Sequence, residues 1–147
     1  MAGGSPLLII AGPGSGKTLL TAIIGLLAGQ KQIVLADDDA ELEKRISAVF
    51  TAEAGTVIFD NLPEGTTINS AVLANLLTNP WWSGRILGST RTGSWPNDRL
   101  WLATGNNLAV GGDIARRSIY VRLEPRAPHP EERTGFAIPD LPQRILD

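Results

Sequence analysis

Apolar residues in this chain fall in short runs separated by helix-spaced segments, and the two periods alternate along its length. Leu7-Leu8-Ile9-Ile10 is a continuous apolar run with a glycine-rich turn after it, the pattern of a strand buried on both faces. The apolar stretch from Leu19 to Leu27, broken by Gly25, has the length of a core helix, and Gly29 is placed to stop it. Gln32-Ile33-Val34-Leu35-Ala36 reads as a second strand. Asp37-Asp38-Asp39 then offers capping carboxylates to a helix whose apolar face is Leu42, Ile46, Val49 and Phe50. Thr56-Val57-Ile58-Phe59-Asp60 predicts a buried strand ending on an acid, and Asn69 a cap for a helix carrying Val72, Leu73, Leu76 and Leu77. Residues 83–99 are rich in turn formers around Ile86-Leu87 and read as a strand or β-hairpin insertion. Leu100-Trp101-Leu102-Ala103-Thr104 is a fourth main strand, Asp113 opens a short helical turn through Arg117, and Ile119, Val121 and Leu123 alternate as a fifth. From Pro125 onward five prolines exclude a long helix. Alternating strands and helices predict a mainly parallel five-stranded sheet between helices, with ligands at the strands' carboxyl ends. The division expected is a core over 1–124 and a proline-rich tail over 125–147.

The turn after the first run is Ala11-Gly12-Pro13-Gly14-Ser15-Gly16-Lys17-Thr18-Leu19, a Walker A loop between a strand and a helix. Its glycines let successive backbone N–H groups turn inward around phosphate, and the helix N-terminus adds its dipole. Lys17 is placed to neutralise β/γ-phosphate oxygens, and the Thr18 hydroxyl to ligate Mg²⁺. Residues 12–19 are therefore the expected ATP-binding segment. Asp60, ending an apolar strand, has the form of a Walker B acid that holds Mg²⁺ through water. After it comes Asn61, which could orient a water but cannot take its proton, so Glu64 or a base from elsewhere is left to do so.

Two further groups follow strands. Thr104-Gly105-Asn106-Asn107 ends the fourth strand in amides, one of which, Asn106 first, could bridge a γ-phosphate and the attacking water; an Asx turn is the structural alternative. Arg116-Arg117 could reach a neighbouring subunit's γ-phosphate as an arginine finger.

The chain has 147 residues, 19% of them charged, with a formal net charge of −2, which predicts no blanket attraction to nucleic acid or anionic membrane. Up to residue 80 the basic residues are Lys17, Lys31, Lys44 and Arg45; beyond it they are all arginine, nine in number. Phosphate contacts are thus expected in the second half. There is no cysteine, which fits a reducing cytoplasm, and no apolar stretch long enough to span a bilayer. Met1 to Pro6 lacks the charged and apolar regions of a signal peptide, so the expectation is a cytoplasmic protein, either minimal or part of something longer.

Walker A, Walker B, the amide-ended strand and the arginine pair, in this order, resemble the AAA+ ATPases, P-loop NTPases of the additional-strand type. The narrower resemblance is to superfamily 3-type helicases, the motors found with primases and initiators of viruses, phages and mobile elements. It rests on residues 12–18, on Ser83 to Pro96 in the place of that family's hairpin, and on Leu102 to Asn107 followed by Asp113 to Arg117. The resemblance implies a homo-oligomeric ring acting on single-stranded DNA during replication, with Arg85, Arg91 and Trp95 as DNA-binding candidates; Trp95 could equally pack on its own sheet. The chain departs from the family in having Asn61 where glutamate is usual, no hairpin lysine and no helical lid. The competing functions are a small-molecule kinase or other phosphotransferase, and a module that binds nucleotide but hydrolyses it slowly.

Overall fold

The computed structural model describes residues 5–12, 16–126 and 128–146. At its centre lie five parallel strands: β1 (Leu7–Ala11), β2 (Gln30–Gln32), β3 (Thr56–Leu62), β7 (Leu100–Gly105) and β9 (Ser118–Arg122). Their order across the sheet is β2-β3-β7-β1-β9, so β7 is inserted between β1 and β3. Strand alternation divides the core into two layers. Leu7, Ile9, Val57, Phe59, Trp101 and Ala103 face helices α2 (Asp39–Phe50) and α3 (Ala71–Thr78). Ile10, Ile58 and Leu102 face Leu20 and Ile24 of α1 (Lys17–Ala28) on the other side.

Two small sheets lie outside this one. β4 (Thr67–Ile68) pairs in parallel with β8 (Ala109–Val110), and β5 (Trp81–Arg85) pairs antiparallel with β6 (Thr92–Pro96). The β5–β6 hairpin is held down by its tryptophans. Trp82 and Trp95 oppose each other across it, and both rings stack on Phe50 of α2, at centroid distances of 6.1 and 6.0 Å. Trp82 Nε1 also donates to Ser47 Oγ at 3.0 Å. A short helix α4 (Gly112–Arg116) precedes β9, and α5 (Leu141–Leu146) folds back onto α1.

Several boundaries differ from those the sequence predicts. The second strand is Gln30–Gln32 rather than 32–36; only the Ile33 N–H continues the ladder, to Ile58 O. Val34 is 69% exposed and its carbonyl is taken by Arg45, so this sheet edge lacks the neighbour that a longer strand needs. Ser70, not Asn69, caps α3, accepting from Leu73 N–H at 3.2 Å. Within the acidic triplet, Asp38 is the cap of α2, accepting from Glu41 N–H at 2.9 Å. Ile86-Leu87 lies in the hairpin's turn, not in a strand, with Leu87 69% exposed. The fifth strand does not alternate cleanly: it is an edge strand, so Ile119 and Tyr120 are both about half exposed.

Candidate functional site

β1, β3 and β7 end on the same side of the sheet, and their last residues bring together groups far apart in sequence. Gly16 caps α1 in a left-handed conformation, φ 81°, which places Lys17 at the helix's first position. Pro13, Gly14 and Ser15 lie outside the described residues; Gly12 and Gly16 bracket them. The half-buried Lys17 ammonium donates to Gly12 O and, at 2.8 Å, to Asn106 Oδ1 beyond the end of β7. Both acceptors are neutral, and no carboxylate pairs with this ammonium among the described residues. Among the described residues this positive charge at a helix N-terminus therefore has no ion-pair partner. Asn107 serves the backbone instead. Its φ of 50° makes the left-handed turn that leaves the strand, a conformation asparagine tolerates well. Thr18 and Leu19 both lie exposed on the first turn of α1.

On the other side of β7, the pairing of β3 slips between Phe59 and Leu62, forming a bulge at Asp60-Asn61. Thr104 of β7 fastens this bulge. Its buried hydroxyl donates to Asp60 Oδ1 at 2.6 Å and accepts from Asn61 N–H at 2.7 Å. Gln32 Nε2 reaches the other Asp60 oxygen at 3.5 Å. Asn61 has φ 52°, so the bulge accounts for asparagine at the position after the acid. Thr104 was legible only as a strand residue; no motif marks a hydroxyl that works by spanning a bulge. Glu64 sits on the exposed turn after β3, which is tied to the amide loop by Gly65 N–H donating to Asn106 O at 3.3 Å.

The donor set suits Mg²⁺. The hydroxyl of Thr18 and the carboxylate of Asp60 would offer it hard oxygen donors. A cation held by one or two protein oxygens, with phosphate and water completing its shell, is how Mg²⁺ is usually bound.

The arginine pair lies elsewhere. Leu7 N–H donates to Arg117 O at 3.0 Å, and Ser118 pairs with Leu7 at the start of β1, whereas the glycine loop follows its end at Ala11. Four strand steps at roughly 3.3 Å put Arg116 and Arg117 about 13 Å from the loop along the sheet. Both are exposed. Arg85 and Arg91 are exposed at the far end of the β5–β6 hairpin, which Ile86 N–H closes by donating to Arg91 O at 3.0 Å. Trp95 does not join them. Its half-buried ring stacks on Phe50 and lies over Gly93, where an added Cβ would meet it at 2.3 Å, so it packs on the hairpin's own core.

A cleft of about 910 Å³ opens beside the start of α1, between Gly16, Leu19 and Ile23 on one side and Leu123, Arg133 and Phe136 on the other. The Arg133 guanidinium lies 5.4 Å from the Phe136 ring centroid. The proline-rich tail thus forms one wall of a cleft next to the glycine loop.

The five-stranded parallel sheet with helices on both faces is an α/β fold. Structures of the JCV helicase share it. One, with a thiazolopyridine-bearing acetamide bound, aligns at 19% identity and a TM-score of 0.55 over 82% of this chain. Two others, one of them inhibitor-bound, align at 18% identity with TM-scores of 0.53 and 0.51 over 84%. This chain spans 37% of the length of those helicase chains. No family model matches the sequence, and no curated protein is detectably similar to it. No helix among the described residues is long and apolar enough to cross a membrane.

Proposed function

We propose that this chain is an ATP-binding and hydrolysing module of the AAA+, superfamily 3 helicase-like type, which couples turnover to movement on DNA as one subunit of a ring. The observation that carries the reading is the Lys17–Asn106 contact. An ammonium with only neutral partners, at a helix N-terminus, meets the amide that ends the neighbouring strand, with Asp60 one strand further on. In this reading residues 12–19 hold the phosphates, and Lys17 exchanges its neutral partners for β/γ-phosphate oxygens. Thr18 and, through water, Asp60 hold Mg²⁺, which when bound neutralises charge on those oxygens. Asn106, released from Lys17, orients the γ-phosphate. The cleft beside Gly16 takes the nucleoside, with apolar walls for the base.

The arginine pair is too far from its own glycine loop to act there, and its exposure suits action on a neighbour's γ-phosphate. Arg85 and Arg91 at the hairpin tip supply phosphate contacts for single-stranded DNA, independent of sequence. The test is phosphate release from ATP·Mg²⁺ with and without single-stranded DNA across protein concentration. DNA-stimulated turnover that rises with concentration supports the reading. Transfer to a small acceptor would make the chain a phosphotransferase, and binding without turnover would leave only a nucleotide-binding module.

A further inference from the structure

We propose that Phe136, with Arg133 beside it, is the platform on which the base of the bound nucleotide stacks, a proposal that rests on the ATPase reading above. The proline-rich tail is pinned beside α1 at both ends. Leu123 N–H donates to Ala11 O at 2.8 Å, and α5 packs on α1. Between these anchors lies a single helical turn, Pro130–Glu132, after which Arg133 N–H donates to Pro130 O at 3.3 Å. Gly135 then turns the chain through the left-handed region, φ 71°, and Phe136 follows. Phe136 is 53% exposed and Leu19 43%, and both line the same cleft of about 910 Å³.

That cleft starts at the glycine loop. Gly16, Leu19, Leu20 and Ile23 line it, and their spacing puts them on one face of α1. At about 1.5 Å per residue this face runs roughly 10 Å from the loop. With phosphates held at Gly16 and Lys17, the nucleoside lies along this face and the tail forms the opposite wall. A base has two apolar faces and a polar edge, so the side chains of the wall decide which of these is gripped. Among the described residues that line the cleft, none carries a hydroxyl or an amide side chain, and Arg122 is paired with Glu124 at 3.5 Å. Phe136 and Arg133 offer a phenyl ring and a planar guanidinium instead, the kinds of surface on which bases stack. The guanidinium lies 5.4 Å from the ring centroid, within the range of a cation–π contact, and so helps to fix the ring before a base reaches it. The base is thus gripped by its faces, and the grip does not depend on the donors and acceptors along its edge.

The experiment measures the affinity of the full chain for ATP, GTP and inorganic tripolyphosphate, each with Mg²⁺, by titration. Tripolyphosphate carries the phosphates without a base. Phe136→Ala is expected to weaken ATP and GTP by a common factor of about 5–150-fold, the range of one base–aromatic stack, and to leave tripolyphosphate within about twofold of wild type. Phe136→Trp keeps or improves the affinity for both nucleotides, and Phe136→Leu, apolar but not planar, retains most of the defect. Arg133→Ala shows a smaller loss of the same pattern. Should Phe136→Ala fail to fold in a urea titration, Phe136→Leu carries the same comparison. Unchanged ATP affinity in both variants overturns the platform and leaves the ATPase reading intact. So does an equal loss for ATP and tripolyphosphate, which would place the effect on the glycine loop. A loss for ATP but not for GTP overturns the grip by base faces in favour of edge recognition. A wild type that binds neither ATP nor tripolyphosphate overturns the ATPase reading and the platform with it.

Discussion

Replacing Thr104 with valine removes one hydroxyl and keeps the side chain's shape, so the loss is confined to its two hydrogen bonds. The first is donated to the Asp60 carboxylate at 2.6 Å, and a bond to a charged group contributes about 1.5–3 kcal/mol. The second is accepted from Asn61 N–H at 2.7 Å, and a backbone donor left unpaired costs about 1–3 kcal/mol. Asp60 is half-buried and Asn61 exposed, so water repairs part of both losses. The low end applies, and a destabilisation of about 2 kcal/mol is expected. Urea unfolding measures it: with a slope of about 1–3 kcal/mol per molar, the midpoint falls by roughly 1 M at unchanged slope. Thr104→Ser keeps the hydroxyl, loses one buried methyl, and should fall by about half as much or less. In the valine variant Asp60 is no longer held, so hydrolysis should also need more Mg²⁺ than wild type. A midpoint within about 0.2 M of wild type, with an unchanged Mg²⁺ requirement, would refute the claim that this hydroxyl fastens the bulge.

Lys17→Ala should leave the unfolding midpoint nearly unchanged, since its ammonium is only half-buried and its partners are neutral, while ATP·Mg²⁺ affinity in a titration is lost; retained affinity removes the glycine loop from the site. Asn61→Gly should be stable to within a few tenths of a kcal/mol, whereas Asn61→Glu should cost about 1 kcal/mol because of the left-handed backbone at φ 52°. Equal stability of the two in urea would mean that the bulge does not select asparagine. Arg116→Ala with Arg117→Ala should bind ATP normally but lose about 10³–10⁵-fold in turnover. Mixing this double variant with Lys17→Ala in an assembled sample should restore some activity, and no rescue would refute action between subunits.

The fold was legible wherever burial on both faces forced a continuous apolar run. Leu7, Ile9, Ile10, Val57 to Phe59 and Trp101 to Ala103 are buried, in strands covered on both faces, and their sequence pattern has no competing explanation. The edges were harder, because an edge strand is defined by the neighbour it lacks. The apolar stretch Ile33 to Ala36 has strand propensity, yet its ladder ends after one further bond, and β9 leaves Ile119 and Tyr120 open to water. Helix caps were legible to within one residue, since Asn69 and Ser70 are both good caps and only the geometry of Leu73 N–H chooses between them.

The site divides in the same way, between groups announced by a motif and groups recruited by position. In the proposed site Lys17 and Thr18 follow from the spacing of the glycine loop, and Asp60 from its place at the end of an apolar strand. Thr104 carries no such mark. A threonine ending a strand is ordinary until the partner strand slips by a residue and presents both a carboxylate and a backbone N–H to it. The acidic triplet reads as a cap, and two of its three carboxylates hold α2 and α3 in place. The third, Asp37, is exposed in the loop before α2, where it lines a cleft with Asp60. The same bulge that turns Asn61 into the left-handed region disfavours a glutamate there, so the asparagine after Asp60 is a consequence of that local geometry.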